Sequence, residues 1–306
     1  MFSVSTRVWD FARPEPPAEV PRGTLPWPAA PFAKFAADLG ATAVELDSRV
    51  LERRLDEVVG AIKNHGLAIT SLEAICPHPT ELARHDPKPG LVPLANPDES
   101  ERRVAIRLHR RTVEIAADLS APNVILTFGR VAMPEAFAAP PDGERETRAF
   151  LAARALAAPP HLDAIRFSLD HLIPIAEKYE RTLAMVVSSD LAAAPSFQEL
   201  SALLDDFKGA PLGVWLDTTA LWSLANAGVR RVETWSGLGA SIRGIRIHDW
   251  RDQAEVVPGE GAIDLATMKK ALALPETVAR VLDLGPDHDH GRIRECVQPN
   301  RRAVWP

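Results

Sequence analysis

Ile245-Arg246-Ile247-His248-Asp249-Trp250-Arg251, followed by Pro258-Gly259-Glu260-Gly261-Ala262-Ile263-Asp264, is the stretch on which the fold turns. A short apolar run ends in a histidine, an acid and an arginine. A glycine-bracketed glutamate then leads into an Asp suited to start a helix. The pattern is a buried strand with polar groups at its carboxyl end, then a loop, then a helix N-terminus. Parallel α/β proteins assemble their sites in this order.

Working outward, the same alternation recurs along the chain. Apolar, β-rich runs predict strands over Phe2–Thr6, Ala41–Leu46, Ala68–Leu72, Asn123–Thr127, Thr182–Val187, Gly213–Leu216, Ile242–Ile247 and Val278–Leu284. Helical patterns lie between them, at Pro31–Leu39, Leu51–His65, Glu99–Leu119, Ala164–Tyr179, Phe197–Phe207, Leu221–Thr234 and Leu265–Leu272, with a last one near Arg292. Ser196 and Asp264 are suited to be N-caps. The strands read as continuous apolar runs, as expected when both faces are covered. Eight strands, each followed by a helix, predict an α/β protein of one (β/α)8 barrel domain over residues 1–306. An open doubly wound sheet is the runner-up. Its dinucleotide fingerprint is missing, because Gly237-Leu238-Gly239 lacks a third glycine and precedes a strand.

Composition narrows the function. A hydrophobic share of 46% against 25% charged residues supplies a sizeable core. With 35 basic and 41 acidic residues, the chain lacks the basic surface that nucleic acid requires. Two cysteines, Cys76 and Cys296, fit neither a disulfide framework nor a metal spacing. No apolar run reaches the length of a membrane span, and the N-terminus does not read as a signal peptide. The expectation is a cytoplasmic protein with a small-molecule partner. Prolines gather in Pro14–Pro31, Pro77–Pro97 and Pro134–Pro160, each after a strand end, as binding loops or as stiff surface insertions.

Polar groups collect where the strands stop. Strand one offers Thr6, Arg7 and Asp10; strand two, Glu45 and Asp47; strand three, Glu73 and His78; strand four, Thr127 and Arg130. Strand six ends in Asp217, strand seven in His248, Asp249 and Arg251, and strand eight in Asp283. Acids, a histidine and arginines on one mouth suit a divalent metal and a polyhydroxylated or phosphorylated ligand.

These residues sit in a series of segments that resembles the sugar phosphate isomerase/epimerase family, the xylose isomerase-like barrels. The echoes are Leu39-Gly40-Ala41-Thr42-Ala43-Val44-Glu45-Leu46, Gly66-Leu67-Ala68-Ile69-Thr70-Ser71-Leu72, Ala121-Pro122-Asn123-Val124-Ile125-Leu126, Leu212-Gly213-Val214-Trp215-Leu216-Asp217, His248-Asp249 and Pro258-Gly259-Glu260-Gly261. The resemblance implies a divalent metal (Mn²⁺, Zn²⁺ or Mg²⁺) held by a strand-five glutamate, a strand-six aspartate, a strand-seven histidine and a strand-eight glutamate. Asp217 and His248 match this pattern, and Asp283 stands one methylene short of the last ligand. Val186 occupies the strand-five position, Ala220 the place of a frequent histidine, and Thr127 that of another.

Valine neither binds a metal nor takes a proton, so any base must come from elsewhere. Glu45, Glu73 and Asp249 are the candidate catalytic groups; Arg130, Arg246, Arg251 and Glu260 the candidate substrate contacts; Asp217, His248 and Asp283 the candidate metal ligands. Asp287-His288-Asp289-His290 reads as a solvated polar loop. The expected activity is isomerisation or epimerisation of a small sugar or sugar-derived acid, with a homodimer compatible with the sequence. The alternative, motivated by Val186 and Ala220, is a barrel that binds a small anionic ligand without turnover. The endonuclease branch of the family needs a histidine-rich three-metal site that this chain cannot assemble.

Overall fold

The computed structural model describes residues 1–8, 29–48, 50, 55–74, 93–126 and 128–297; Asp10, Cys76, His78 and Thr127 lie outside the described residues. Eight parallel strands close a barrel: β1 (Phe2–Ser5), β2 (Ala43–Leu46), β3 (Ala68–Glu73), β4 (Asn123–Leu126), β5 (Thr182–Val186), β6 (Leu212–Asp217), β7 (Ile242–Ile247) and, after a hairpin of β8 (Asp249–Arg251) and β9 (Ala254–Val256), β10 (Ala279–Leu282). Each barrel strand pairs with its sequence neighbours, and β10 returns to β1 through Phe2 opposite Arg280. Helices surround the strands, giving the (β/α)8 barrel that the sequence predicts.

The apolar runs divide into two populations. One face of each strand packs outward against helices, in a core that includes Val44, Leu72, Leu126, Leu216, Ile245 and Ile247. The other face fills the barrel with Ile125, Ala184, Trp215, Ala279 and Val281, and Val186 packs on that cluster. Trp215 is fully buried and its ring lies against Gly244 on the neighbouring strand. A Cβ at Gly244 would stand 2.4 Å from the indole carbons. Glycine is what lets the Trp215 ring plug the barrel; overpacking there would cost about 1–3 kcal/mol. Period-two alternation then turns Arg246 and Asp217 to the same inner side as Gly244 and Trp215, one layer nearer the strands' carboxyl ends.

Both expected caps form. The Ser196 hydroxyl accepts from the Glu199 amide while Glu199 reaches back to the Ser196 amide, and Asp264 accepts from the Thr267 amide at 2.9 Å. The pattern read as one helix over Leu221–Thr234 is instead a helix over Thr218–Asn226 and a 3-10 segment over Val232–Ser241. The Asp217 carboxylate accepts from the Ala220 amide at 2.8 Å and starts that helix at the strand's end, so it begins three residues early. The proline-rich segment 134–160 contains a helix, Glu144–Ala157, and Pro159 opens the next one, Pro159–Tyr179. Prolines there flank helices, where their missing N–H costs nothing.

Candidate active site at the barrel mouth

The acids at the carboxyl ends of the strands converge on one cation. Arg246 lies beside Asp217 in register and donates from Nε to Glu45 Oε1 at 2.9 Å. Its Nη2 stands 3.6 Å from Glu73 Oε2, and its Nε 3.8 Å from Asp283 Oδ2. Burial opposes the charge on this guanidinium. Glu45, Glu73, Asp283 and Asp217 overcome that and hold it protonated well beyond its ordinary range. Among the described residues, neither terminal nitrogen of Arg246 makes a hydrogen bond, so both N–H forks remain available on the side of Glu73.

Glu45 is wholly buried and also accepts from the Ser71 hydroxyl at 2.9 Å. Burial pushes its carboxyl up, Arg246 pulls it down, and the Asp283 and Glu73 charges push it up again, leaving it at about 7. Glu73, at the last residue of β3, keeps 30% of its side chain exposed, against 0% for Glu45, 6% for Asp283 and 16% for Asp217. Of these four carboxylates it is the one a ligand can reach most readily.

A second group lies beside the first. His248 Nε2 is 2.8 Å from Asp217 Oδ2, and its Nδ1 is 3.4 Å from Glu255 Oε2. Its backbone is fixed by Thr218, whose hydroxyl accepts from the His248 amide and donates to its carbonyl. Burial disfavours the imidazolium, but Asp217 and Glu255 raise His248 to about 10. Glu255 in turn pairs with Arg7, lies 3.0 Å from His288 Nε2, and accepts from the Gly285 amide. Burial would raise its carboxyl, yet His248 and Arg7 bring it to about 2. Arg7 also donates from Nε to Asp283 Oδ1 at 2.9 Å, which joins the two groups.

The structure thus brings together six of the sequence-derived candidates: Glu45, Glu73, Arg246, Asp217, His248 and Asp283. The others are engaged elsewhere. Asp249, a candidate base, is fully buried, and its carboxylate accepts four backbone amides, from Trp250, Gly259, Gly261 and Ile263, at 2.8–3.0 Å. Glu260 pairs with Arg292, Arg251 donates to the Glu260 carbonyl, and the exposed Arg130 pairs with Asp190. Glu255, Arg7 and His288 join the site without a motif of their own: no sequence signal marks Glu255, Arg7 stands among the polar groups after strand one, and His288 lies in a run that reads as a solvated loop.

The candidate metal ligands Asp217, His248 and Asp283 all have protein partners in this mouth. Among the described residues, no three His, Cys, Asp or Glu side chains are grouped to hold a metal ion. The reason lies in the donors. Asp283 is held by Arg7 and faces Arg246, His248 is held by Asp217 and Glu255, and Val186 offers carbon. Two guanidinium groups stand where a cation would need lone pairs, so the residues present do not fit a divalent metal.

The ionic pair at His248 has a pH signature. A histidine raised from 6.5 to about 10 contributes stability that is fully present below pH 6.5 and is lost as the pH climbs through 10. Urea unfolding of wild type against His248→Gln should differ in slope across that window, by up to about 1.4 kcal/mol per pH unit. Parallel curves would mean that His248 is neutral in the fold.

The comparisons with known proteins point to the same barrel type. Among the solved structures similar over nearly the whole chain are three epimerases. One is 3-keto-D-glucoside 4-epimerase, YcjR, from E. coli, with TM-score 0.66 and 11% identity, over 96% of each chain. Another, L-ribulose 3-epimerase, has TM-score 0.65 and 12% identity, over 100% of this chain and 88% of that one. The third, D-psicose 3-epimerase in the presence of D-fructose, has TM-score 0.62 and 14% identity, over 96% and 94%. At such identities the likeness speaks for the fold. No curated protein matches the sequence. Among the described residues, no helix is long and apolar enough to cross a membrane. A protein-family model, "Xylose isomerase-like TIM barrel", matches residues 33–276, and the chain belongs to that family.

Proposed function

We propose that this protein is an isomerase or epimerase of small sugars that moves a proton on a carbon next to a carbonyl. The observation that carries the reading is Glu73. It is a part-exposed carboxylate at the barrel mouth, 3.6 Å from the Arg246 guanidinium and backed by a buried carboxyl that titrates near 7. Perturbed acids in a cleft are the usual equipment for proton transfer near neutral pH. In the forward step Glu73 takes the proton. The C–H electron pair moves into the adjacent C–C bond, and the carbonyl electrons move onto oxygen to give an enediolate. Return of the proton from Glu73 to the neighbouring carbon completes isomerisation; for epimerisation a second acid gives a proton to the opposite face and Glu73 keeps the one it took. No step runs through a divalent metal, because the donor set does not fit one.

The charge of the mouth bears on the substrate. Glu45, Glu73, Asp217, Asp283 and Glu255 outnumber the cations Arg7, Arg246 and protonated His248. That surplus favours a neutral sugar over a sugar-derived acid, and weakens the reading of the barrel as a passive holder of anions. The similar structures are of a 3-keto-D-glucoside 4-epimerase, an L-ribulose 3-epimerase and a D-psicose 3-epimerase, which supports a keto sugar as the substrate class. The test is incubation of the purified protein with neutral ketoses, aldoses and their acids in D₂O. Deuterium entering the carbon next to the carbonyl of a neutral sugar is the expected result. Saturable binding of acids with no exchange in any sugar would replace this reading with the anion-binding one.

A further inference from the structure

Three acids, Glu45 on β2, Glu73 on β3 and Asp283 just after β10, lie 2.9–3.8 Å from the head of one side chain, and Asp217 on β6, its neighbour in register, adds a fourth charge. Hard divalent cations choose such a ring of oxygen donors. Here the ring encloses carbon and nitrogen instead. Arg246 enters from β7 on the inner side of the barrel, above the Trp215 ring that Gly244 admits. Its side chain is only 12% exposed, and Val186 leaves the end of β5 without a donor. Glu45 orients the planar group through Nε, so its two terminal nitrogens point away from that bond with their N–H donors uncommitted among the described residues.

We infer that the Arg246 guanidinium does the work a divalent cation would do in this mouth. It offsets part of the charge of the carboxylate ring, and it offers N–H donors to the substrate's carbonyl oxygen as negative charge develops there. The inference rests on the proton-transfer reading above and names its electrophile. A guanidinium is suited to this task. It is permanently charged, its planar fork can meet two vicinal oxygens, and it arrives already oriented. A Lys ammonium would carry the charge without the fork. The sequence change is also coherent as a set. With an arginine filling the ring, a fifth carboxylate on β5 would leave the mouth more negative still, and valine at position 186 avoids that.

The experiment combines metal binding with exchange. Wild-type protein purified without chelators should carry no stoichiometric metal by plasma mass spectrometry. Adding Mn²⁺, Mg²⁺ or Zn²⁺ at roughly 1 mM should leave its melting temperature unmoved, because nothing binds the native state selectively. Deuterium exchange into the responding sugar should be unchanged by EDTA. Arg246→Gln should lower exchange by at least about 100-fold, the scale of removing one oxyanion donor. The same variant should gain a Mn²⁺-dependent rise in melting temperature, because it frees the ring of acids. Arg246→Lys should lose exchange nearly as far without that gain.

Wild-type exchange abolished by EDTA and restored by Mn²⁺ would overturn the inference and leave the proton-transfer reading standing. Full exchange in Arg246→Lys would also overturn it, since charge alone would then suffice. Absence of exchange in wild type, with and without metals, would overturn the proton-transfer reading and the catalytic half of the inference with it. If Arg246→Gln does not fold, the wild-type metal measurements still decide the outcome.

Discussion

Asp249→Asn should unfold this barrel several kcal/mol more easily than wild type, a loss that a catalytic acid would not produce. Asp249 Oδ1 accepts the Trp250 and Ile263 amides, and Oδ2 accepts the Gly259 and Gly261 amides. The carboxylate is therefore the nucleus around which the loop after the β8–β9 hairpin is wound. An asparagine keeps one oxygen and presents an NH₂ group to the other two donors, which it repels. Each buried donor left unpaired costs about 1–3 kcal/mol. Two of them give roughly 2–6 kcal/mol, against a total stability of about 5–15 kcal/mol. Gly261→Ala should do comparable harm from the other side, because its Cβ would stand 2.1 Å from Asp249 Oδ1. Chemical denaturation of both variants measures the effect. A fall in turnover at an unchanged unfolding midpoint in Asp249→Asn would give Asp249 a chemical role instead of a structural one.

Asp249 also marks where sequence reading works and where it stops. The Gly259-Glu260-Gly261 loop was legible as a site-forming feature because glycines bracketed an acid. What the glycines serve is the close approach of their own amides to Asp249, while Glu260 faces Arg292. The eight strands were legible because burial on both faces writes them as unbroken apolar runs, and bounds moved by a residue or two. The hairpin Asp249–Arg251 with Ala254–Val256 was not. Its turn places Asp252 at φ 51° and Gln253 at φ 62°. That is the left-handed region, where the usual signal is Asn-Gly or Asp-Gly. With no glycine in the turn, nothing announced the reversal that carries Glu255 back over the mouth to Arg7 and His248. The helix Glu144–Ala157 is hidden for a similar reason, because the prolines that flank it read as a binding loop or a stiff insertion.

Arg246 shows a different limit. An arginine within an apolar strand is visible in sequence, but its partners are 201 residues away at Glu45 and about as far at Glu73. Only closure of the barrel brings them to it. The mouth's location follows from local patterning, while its electrostatics follow from which strands become neighbours across the barrel.

Glu73→Gln should abolish exchange while leaving the fold intact, and Glu45→Gln should preserve both exchange and fold. Glu73 is the reachable carboxylate, and replacing a general base ordinarily costs about 10²–10⁴-fold in rate. Its ion-pair partner among the described residues is Arg246 at 3.6 Å, beyond hydrogen-bond distance, so the amide leaves no broken bond behind. Glu45 is different in kind. It is buried, it touches Arg246 and Ser71, and its carboxyl sits at about 7. Above that pH its negative charge cancels part of the guanidinium's, and below it the guanidinium acts at full strength. Exchange by wild type should therefore decline as the pH rises through about 7, after allowance for the solvent-catalysed rate. A glutamine at position 45 mimics the protonated carboxyl: its oxygen still accepts from Arg246 Nε, and its NH₂ can donate to the Ser71 hydroxyl. Glu45→Gln should hold the fast rate above pH 7 and flatten the profile. Deuterium exchange followed by NMR across pH 6–8 (roughly one unit either side of the inflection) reads both variants. A profile that keeps its inflection in Glu45→Gln would place the titrating group elsewhere. Glu73→Gln retaining more than about a tenth of the wild-type rate would remove Glu73 from the chemistry.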